Sequence, residues 1–191
     1  MTVSTHVVTQ EKSSHVKTFS ALTTALIVFA GSALLAASAQ FAIPLPFTPI
    51  PITMQTFAIL ILAGTLGSRL AALSCLTYLV EGTLGLPVFA HGLSCPAWFL
   101  TPRLGYVIGF VVSAYVVGKL CEKESSLSFF KQLLYFATGD AIVMALGTLG
   151  LMCFVPAKDA FMMGAAPFVV GSLFKSVSAA CLMCGMKSLR Q

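Results

Sequence analysis

Four ionisable residues stand within or beside long apolar stretches of the sequence: Glu81, Arg103, Asp140 and Lys175. A charged side chain in apolar surroundings usually faces a partner charge, a ligand or a water-filled cavity, so it marks a functional site by default. Two alternatives stay open, a purely structural ion pair and a charge that reaches the membrane interface from a helix end. For Glu81 we favour the interfacial interpretation.

Lys175 is the most informative of the four. It lies eight residues after Pro167, about 12 Å into a helix that this proline would open. Its neighbour Phe174 and the apolar flanks offer the charge no relief. Because an unpaired buried ammonium is expensive, we expect Lys175 to face the interior of a helix bundle and to meet either a ligand or a partner charge.

Arg103 follows Thr101 and Pro102, a pair typical of a helix N-cap and first helical position. This interpretation places Arg103 at the second position of the helix, where the positive end of the helix dipole disfavours a cation. An anion bound by Arg103 and by the free N–H groups of the helix start would relieve the conflict. The alternative is a solvated arginine at the interface.

Asp140 interrupts another apolar helix at about 13 Å from its inner end. Its depth is close to that of Lys175, so the two side chains could form an ion pair across a core about 30 Å thick. The alternative is a protonated, neutral Asp140.

An aromatic group accompanies the outer connection of the chain. Phe89, Trp98 and Tyr106 are predicted to share one face, as a binding surface or as an interfacial aromatic belt. His91 in the same connection is either a binding residue or an ordinary polar loop residue.

The composition indicates which kind of fold must position these residues. Of 191 residues, 58% are hydrophobic and only 9% are charged, whereas a soluble domain carries about 25% charged residues. This excludes a soluble enzyme, a nucleic-acid-binding domain and a disordered protein. The apolar runs are long and continuous, so a β-barrel with alternating polarity is excluded too. The sequence predicts an all-α integral membrane protein.

The charge-free gaps set the number of spans. No charge occurs between Lys17 and Arg69, a run of 51 residues, and one span needs about 20 apolar residues. Proline stands at four of the eight positions 44–51, which forbids a regular helix there. We predict a polar cytoplasmic tail over 1–18 and a single six-helix transmembrane domain over 19–191. The predicted helices are 19–39, 54–66, 71–81, 101–120, 131–151 and 167–186, with connections at 82–101 and 152–164.

Basic residues orient this bundle. With both termini cytoplasmic, eight basic residues lie inside and two lie outside, as the positive-inside rule requires. The inside set is Lys12, Lys17, Arg69, Lys119, Lys123, Lys131, Lys187 and Arg190, and the outside set is Arg103 and Lys158. A cleaved signal peptide ending near Ala39 is the minority alternative, because its apolar core would be unusually long.

Catalytic and metal-binding motifs are missing from the sequence. Cys181 and Cys184 have CxxC spacing but no further cysteine pair or histidine beside them. There is no GxxxxGK[ST] loop for nucleotide phosphates and no hydrolytic GxSxG or HExxH motif. We expect no metal and no catalytic residue, and a transport protein of this sequence would depend on partner subunits for ATP hydrolysis.

Four blocks of the sequence resemble the BioY family, the biotin-specific S components of energy-coupling-factor (ECF) transporters. Residues 42–56 (AIPLPFTPIPITMQT) resemble its P-x-P-x-T-x-Q-T segment, and residues 78–89 (YLVEGTLGLPVF) resemble its Y-x-x-x-G-x-x-G-x-P-V-F run. Residues 101–110 (TPRLGYVIGF) and 167–175 (PFVVGSLFK) resemble its G-x-T-G-G-Y-L-x-G-F and P-F-x-x-G-D-x-x-K runs. The blocks occur in order, and the six-span prediction agrees with the family.

The resemblance implies a six-helix S-component fold that holds biotin near the outer face of the cell membrane. It implies a ligand-site role for Lys175 and makes Arg103 a plausible partner of the biotin carboxylate. It also implies docking of Ala21 and Ala25 on the transmembrane T component, with a pair of ATPases supplying energy. We expect no cofactor besides the ligand biotin, and these substrate-binding residues: Arg103, Lys175, Ser172, Gln55, Thr53, Tyr106, Phe89, His91 and Asp140.

The sequence departs from the family pattern in two places. Ser172 replaces the acid of G-D-x-x-K, and Arg103-Leu104 replaces T-G. Our hypothesis is that Asp140 partly compensates by pairing with Lys175. The departures leave open an S component for another small anionic vitamin. An intramembrane enzyme using Asp140 or His91, and a self-standing carrier, are further alternatives.

Overall fold

Helices make up most of the computed structural model, which describes residues 20–124 and 128–188. The helices are α1 Ala21–Gln40, α2 Gln55–Leu66, α3 Ser68–Thr83, α4 Leu104–Glu122, α5 Phe129–Leu151, α6 Ala157–Gly164 and α7 Val169–Ser188. Two short strands, β1 Ala42–Ile43 and β2 Ile52–Thr53, and three 3₁₀ turns complete the elements. The predicted tail over 1–18 and the predicted start of the first span at Phe19 lie outside the described residues.

Four stretches of the described chain are long and apolar enough to cross a membrane. They are Ala21–Gln40, Leu104–Glu122, Phe129–Leu151 and Ala157–Met186, the last of which includes α6 and most of α7. α2 is apolar as well but has only 12 residues, a length of about 18 Å. The chain is therefore a helical, multi-pass membrane protein.

Several predicted boundaries were wrong. α4 begins at Leu104 and not at Thr101, because the Thr101 N–H closes the preceding 3₁₀ turn on the Trp98 carbonyl at 3.1 Å and the Thr101 hydroxyl donates to the same oxygen at 2.6 Å. α3 begins directly after Gly67, whose positive φ of 81° makes the sharp turn from α2. The predicted connection 152–164 contains α6, which starts after Pro156 and carries Asp159 in its first turn, both favourable at a helix start.

The proline-rich segment forms a hairpin over one end of the bundle. β1 and β2 pair antiparallel, with Ala42 opposite Thr53 and Ile43 opposite Ile52. The four prolines lie between or beside these strands, so the prediction that this segment is not helical is confirmed. The hairpin, hereafter residues 42–53, leads directly into α2. Its own residue Ile50 is buried.

Close backbone contact between α4 and α5 depends on glycine. A Cβ atom on Gly105 would overlap the carbonyl oxygen of Leu146, and one on Gly109 would lie 3.0 Å from the Cα of Val143. Small residues allow helix backbones to approach in membranes, where packing rather than hydrophobicity drives helix association. This contact fixes the position of α5, which carries Asp140, relative to α4, which begins directly after Arg103.

We expect Gly105→Ala to destabilise the protein by about 1–3 kcal/mol, since α4 and α5 must separate to admit the methyl group. The melting temperature of the detergent-purified protein measures the loss. Gly185→Ala is the matched control, because no atom lies within 4 Å of the added Cβ in α7. Equal melting temperatures for the two variants would contradict the packing argument.

The two ends of the bundle differ in character. At one end, Glu122 of α4 accepts hydrogen bonds from the Ser68 backbone N–H at 2.7 Å and from the Ser68 hydroxyl at 2.9 Å. Lys119 lies 3.5 Å from the same carboxylate. The α2–α3 turn and the C-terminus of α4 therefore lie together at this end. The hairpin, the C-terminus of α3 and the N-terminus of α4 lie at the other end.

Candidate functional site

A cavity of about 330 Å³ lies beneath the hairpin, between α2, α3, α4, α5 and α7. Its size falls at the lower end of small-molecule pockets. Aromatic rings form much of its wall, namely Tyr78, Phe89, Trp98, Tyr106, Phe110 and Phe168. Its polar lining consists of Thr53, Gln55, Thr56, Thr101, Arg103, Asp140, Ser172 and Lys175. A cavity with apolar walls and a few convergent polar groups suits a small amphipathic ligand.

The structure brings together eight of the nine residues predicted to bind substrate. The eight that line the cavity are Arg103, Lys175, Ser172, Gln55, Thr53, Tyr106, Phe89 and Asp140. His91 does not line it. The Phe89 N–H bonds to the Leu93 carbonyl at 2.9 Å, and the tight turn so formed buries Phe89 but leaves His91 exposed with a φ of 64°.

Lys175 is buried, with 9% of its surface exposed. Its ammonium donates to the Thr53 carbonyl at 2.6 Å and to the Thr56 hydroxyl at 3.1 Å. These bonds tie α7 to the base of the hairpin and to the first turn of α2. An ammonium has three donors, so one remains for a ligand in the cavity.

The hypothesis of a Lys175–Asp140 ion pair is wrong. Among the described residues, the ion pairs are Lys119–Glu122 and Lys131–Glu124. Asp140 instead accepts a hydrogen bond from the Ser176 hydroxyl at 2.6 Å. Consecutive helix residues point in different directions, so Lys175 faces α2 whereas Ser176 faces α5.

Arg103 is the residue immediately before α4, not its second helical residue as predicted. It is half-buried in the cavity wall, and none of the described residues forms a hydrogen bond or ion pair with its guanidinium. A guanidinium without a counter-ion at the edge of an apolar cavity can bind a carboxylate with two parallel hydrogen bonds.

A second polar group joins α2 to α3 inside the cavity. The Gln55 amide donates to the Tyr78 hydroxyl at 2.8 Å, and the Thr53 hydroxyl donates to the Gln55 carbonyl oxygen at 3.1 Å. Tyr78 also packs edge-to-face on Phe89, with ring centroids 5.4 Å apart. These contacts hold Gln55 and both rings in place without a ligand.

Sequence reasoning missed Tyr78, Thr56 and Phe168 as cavity residues. All three lie inside the blocks that resemble the family, which was the available signal. Trp98 lines the cavity too, and its indole N–H donates to the Thr83 hydroxyl at 2.8 Å. Tyr106 presents its ring to the cavity while its hydroxyl donates to the Gly164 carbonyl at 2.5 Å.

Glu81 does not line the cavity. Its carboxylate accepts a hydrogen bond from the Ser32 hydroxyl at 2.9 Å and so joins α3 to α1. Among the described residues, no group of three or more His, Cys, Asp or Glu side chains could hold a metal ion.

The BioY family model matches residues 9–191. The chain belongs to the BioY family. A relative from Thermotoga maritima named "Biotin transporter BioY" is 36% identical over 151 residues, covering 77% of this chain and 86% of the relative. Another of that name, from Rhizobium etli, is 32% identical over 151 residues and covers 73% of this chain and 79% of the relative.

A solved structure shares the fold of this BioY chain. It is described as the S-component for biotin from an ECF-type ABC transporter, and it superposes with a TM-score of 0.80. The superposition covers 87% of this chain and 92% of the other at 23% identity.

Proposed function

We propose that this chain is the substrate-binding membrane subunit for biotin uptake, which captures biotin at the outer face and delivers it with an ECF energising module. It is a transporter subunit and not an enzyme, as the names of its BioY relatives indicate. The observation that carries the proposal is the cavity beneath the hairpin, where Arg103 has no counter-ion among the described residues and Lys175 has a donor to spare.

Biotin matches this cavity in both polarity and shape. Its carboxylate suits the guanidinium of Arg103, which lacks a counter-ion among the described residues. The aliphatic chain and the thioether ring suit the aromatic wall around Phe89, Trp98 and Tyr106. The ureido group offers N–H donors and a carbonyl acceptor, and Gln55, Ser172, Asp140 and Lys175 line the same space.

The charges of the site favour an anion over a neutral ligand. The cavity lining carries two cations, Arg103 and Lys175, and one acid, Asp140. With Asp140 ionised, the lining has a net charge of +1, and one negative charge on the ligand brings the sum of lining and ligand to zero. In apolar surroundings such balance matters more than it does in water, because Coulomb interactions are poorly screened.

The orientation in the membrane is part of the proposal. We place six spans, α1 to α5 and α7, as a single domain over 19–191 in the cell membrane, with the 1–18 tail and both termini in the cytoplasm. The Glu122 contacts put Arg69, Lys119 and Lys123 at the end opposite the hairpin and the cavity. The positive-inside rule then turns the cavity outward.

The partners follow from family membership and from an exposed helix. The chain lacks a nucleotide-phosphate loop, so a T component and a pair of ATPases would supply energy. Ala21 and Ala25 lie on α1 with their side chains exposed, and small residues of this kind permit close helix approach. These two residues are the proposed docking positions for the T component.

A second candidate function is uptake of another small anionic vitamin. It is favoured by Ser172, which stands where the family motif has an acid. Both functions use the same cavity and the same two cations, so only a binding experiment separates them.

Equilibrium binding of tritiated biotin to the detergent-purified full chain tests the proposal. We expect saturable binding that unlabelled biotin displaces and that the methyl ester of biotin displaces far less well. No binding at micromolar biotin contradicts the proposal, and binding of pantothenate or nicotinate in its place supports the second candidate. Co-purification with ATPase subunits tests the ECF assembly separately.

A further inference from the structure

Only one of the two carboxylate oxygens of Asp140 forms a hydrogen bond within the described residues. The residue is 3% exposed in the middle of α5, and its Oδ2 atom accepts the hydrogen bond from Ser176. Its Oδ1 atom is buried and has no hydrogen-bond partner among the described residues. Buried polar atoms are nearly always satisfied, and each exception needs an explanation.

The surroundings of this oxygen point to a ligand donor. Asp140 lines the cavity, and Oδ1 is the carboxylate oxygen that none of the described residues uses as an acceptor. Lys175 donates to Thr53 and Thr56 instead, and the Ser172 hydroxyl is directed to the sulfur of Met144 at 3.5 Å. An N–H group of the ligand would supply the missing donor, and a carboxylate acceptor makes such a bond about twice as strong as a neutral one.

We propose that Asp140 is the residue that recognises a ureido N–H of bound biotin, through its unpaired Oδ1 atom. Ser176 is then a positioning residue, which holds Oδ2 and leaves Oδ1 for the ligand. This inference rests on the proposed function, since it concerns how the same cavity recognises biotin. It makes α5 the helix that carries the specificity-determining acid.

The register between α5 and α7 supplies a stringent test. Ser176 of α7 contacts Asp140 of α5. One turn earlier on α7, Ser172 contacts Met144, which lies one turn after Asp140 on α5. Both Ser172 and Asp140 line the cavity. An acid placed at position 172 would therefore lie one helical turn from Asp140 and face the same ligand.

The experiment compares biotin with two analogues, each methylated on one of the two ureido nitrogens. For the wild-type chain we expect at least one analogue to bind much more weakly than biotin. Asp140→Asn should weaken biotin binding about 10- to 100-fold and should lower the ratio of analogue to biotin dissociation constants. Asp140→Asn/Ser172→Asp should recover part of the biotin affinity. Asp159→Asn, an exposed acid on α6, is the matched control and should change neither quantity.

The outcomes are distinguishable. If the wild-type chain does not bind biotin, the proposed function fails and the inference fails with it. If the wild-type chain binds biotin and Asp140→Asn leaves the ratio unchanged, only the inference is overturned. No recovery in the double variant contradicts the α5–α7 geometry on which it depends. Should Asp140→Asn melt before it can be assayed, Ser176→Ala serves instead, and an unchanged ratio in that variant counts against the inference.

Discussion

Lys175→Met is expected to weaken biotin binding about 30- to 4,000-fold. Truncating one partner of a buried, hydrogen-bonded charge costs about 2–5 kcal/mol, and about 1.4 kcal/mol corresponds to a factor of ten. The variant removes the donor that remains for the ligand. It also leaves the Thr53 carbonyl and the Thr56 hydroxyl without the partner that binds both of them.

Methionine is chosen because its unbranched side chain fills most of the space of lysine, so the change reports on the charge and not on a new void. The dissociation constant for tritiated biotin measures the effect. Lys158→Met is the control, because Lys158 is exposed on α6 and does not line the cavity. A change of less than threefold for Lys175→Met would show that the ammonium only supports the hairpin.

The hairpin gives this variant a second readout. Lys175 is hydrogen-bonded to the carbonyl of Thr53, the last residue of β2. We expect faster amide hydrogen exchange over residues 41–54 in Lys175→Met, because the hairpin loses its bond to α7 while the Met54 N–H still bonds to the Phe41 carbonyl. Unchanged exchange there would mean that the β1–β2 pairing alone holds the hairpin.

Arg103→Gln is expected to reduce biotin affinity about 30- to 300-fold and to abolish the preference for biotin over its methyl ester. The glutamine amide keeps hydrogen-bonding capacity but loses the charge and the paired N–H donors that match a carboxylate. The ester has no carboxylate to lose, so its own affinity should change little.

The ratio of ester to biotin dissociation constants is the decisive measurement for Arg103, because a structural defect would weaken both ligands together. Arg69→Gln is the control, since Arg69 is exposed at the opposite end of the bundle. A ratio that stays at its wild-type value would assign the carboxylate to another group. Arg103→Lys should recover part of the affinity but not the bidentate geometry.

Local properties of the sequence determined the membrane class of this protein, its helical fold and the charged residues of its cavity. The scarcity of charge required a membrane protein, and the long apolar runs required helices, because a membrane-spanning segment must satisfy its backbone hydrogen bonds internally. The same scarcity drew attention to Arg103, Asp140 and Lys175, all of which line the cavity. The prolines over 44–51 excluded helix through a steric effect that needs no tertiary context.

Only the tertiary structure decided which partner each of these residues has. Lys175 bonds to Thr53, 122 residues away, whereas its neighbour Ser176 bonds to Asp140. Depth along a helix predicted a Lys175–Asp140 pair, but it does not include rotation about the helix axis, and one residue turns the side chain by about 100°. Rotation is set by the packing of each helix against its neighbours, which residue spacing along one helix does not specify. The same limit applies to His91, because backbone hydrogen bonds from Phe89 to Leu93 and from Gly92 to Phe89 close the turn that buries Phe89 and exposes His91. Residue types alone do not predict this turn.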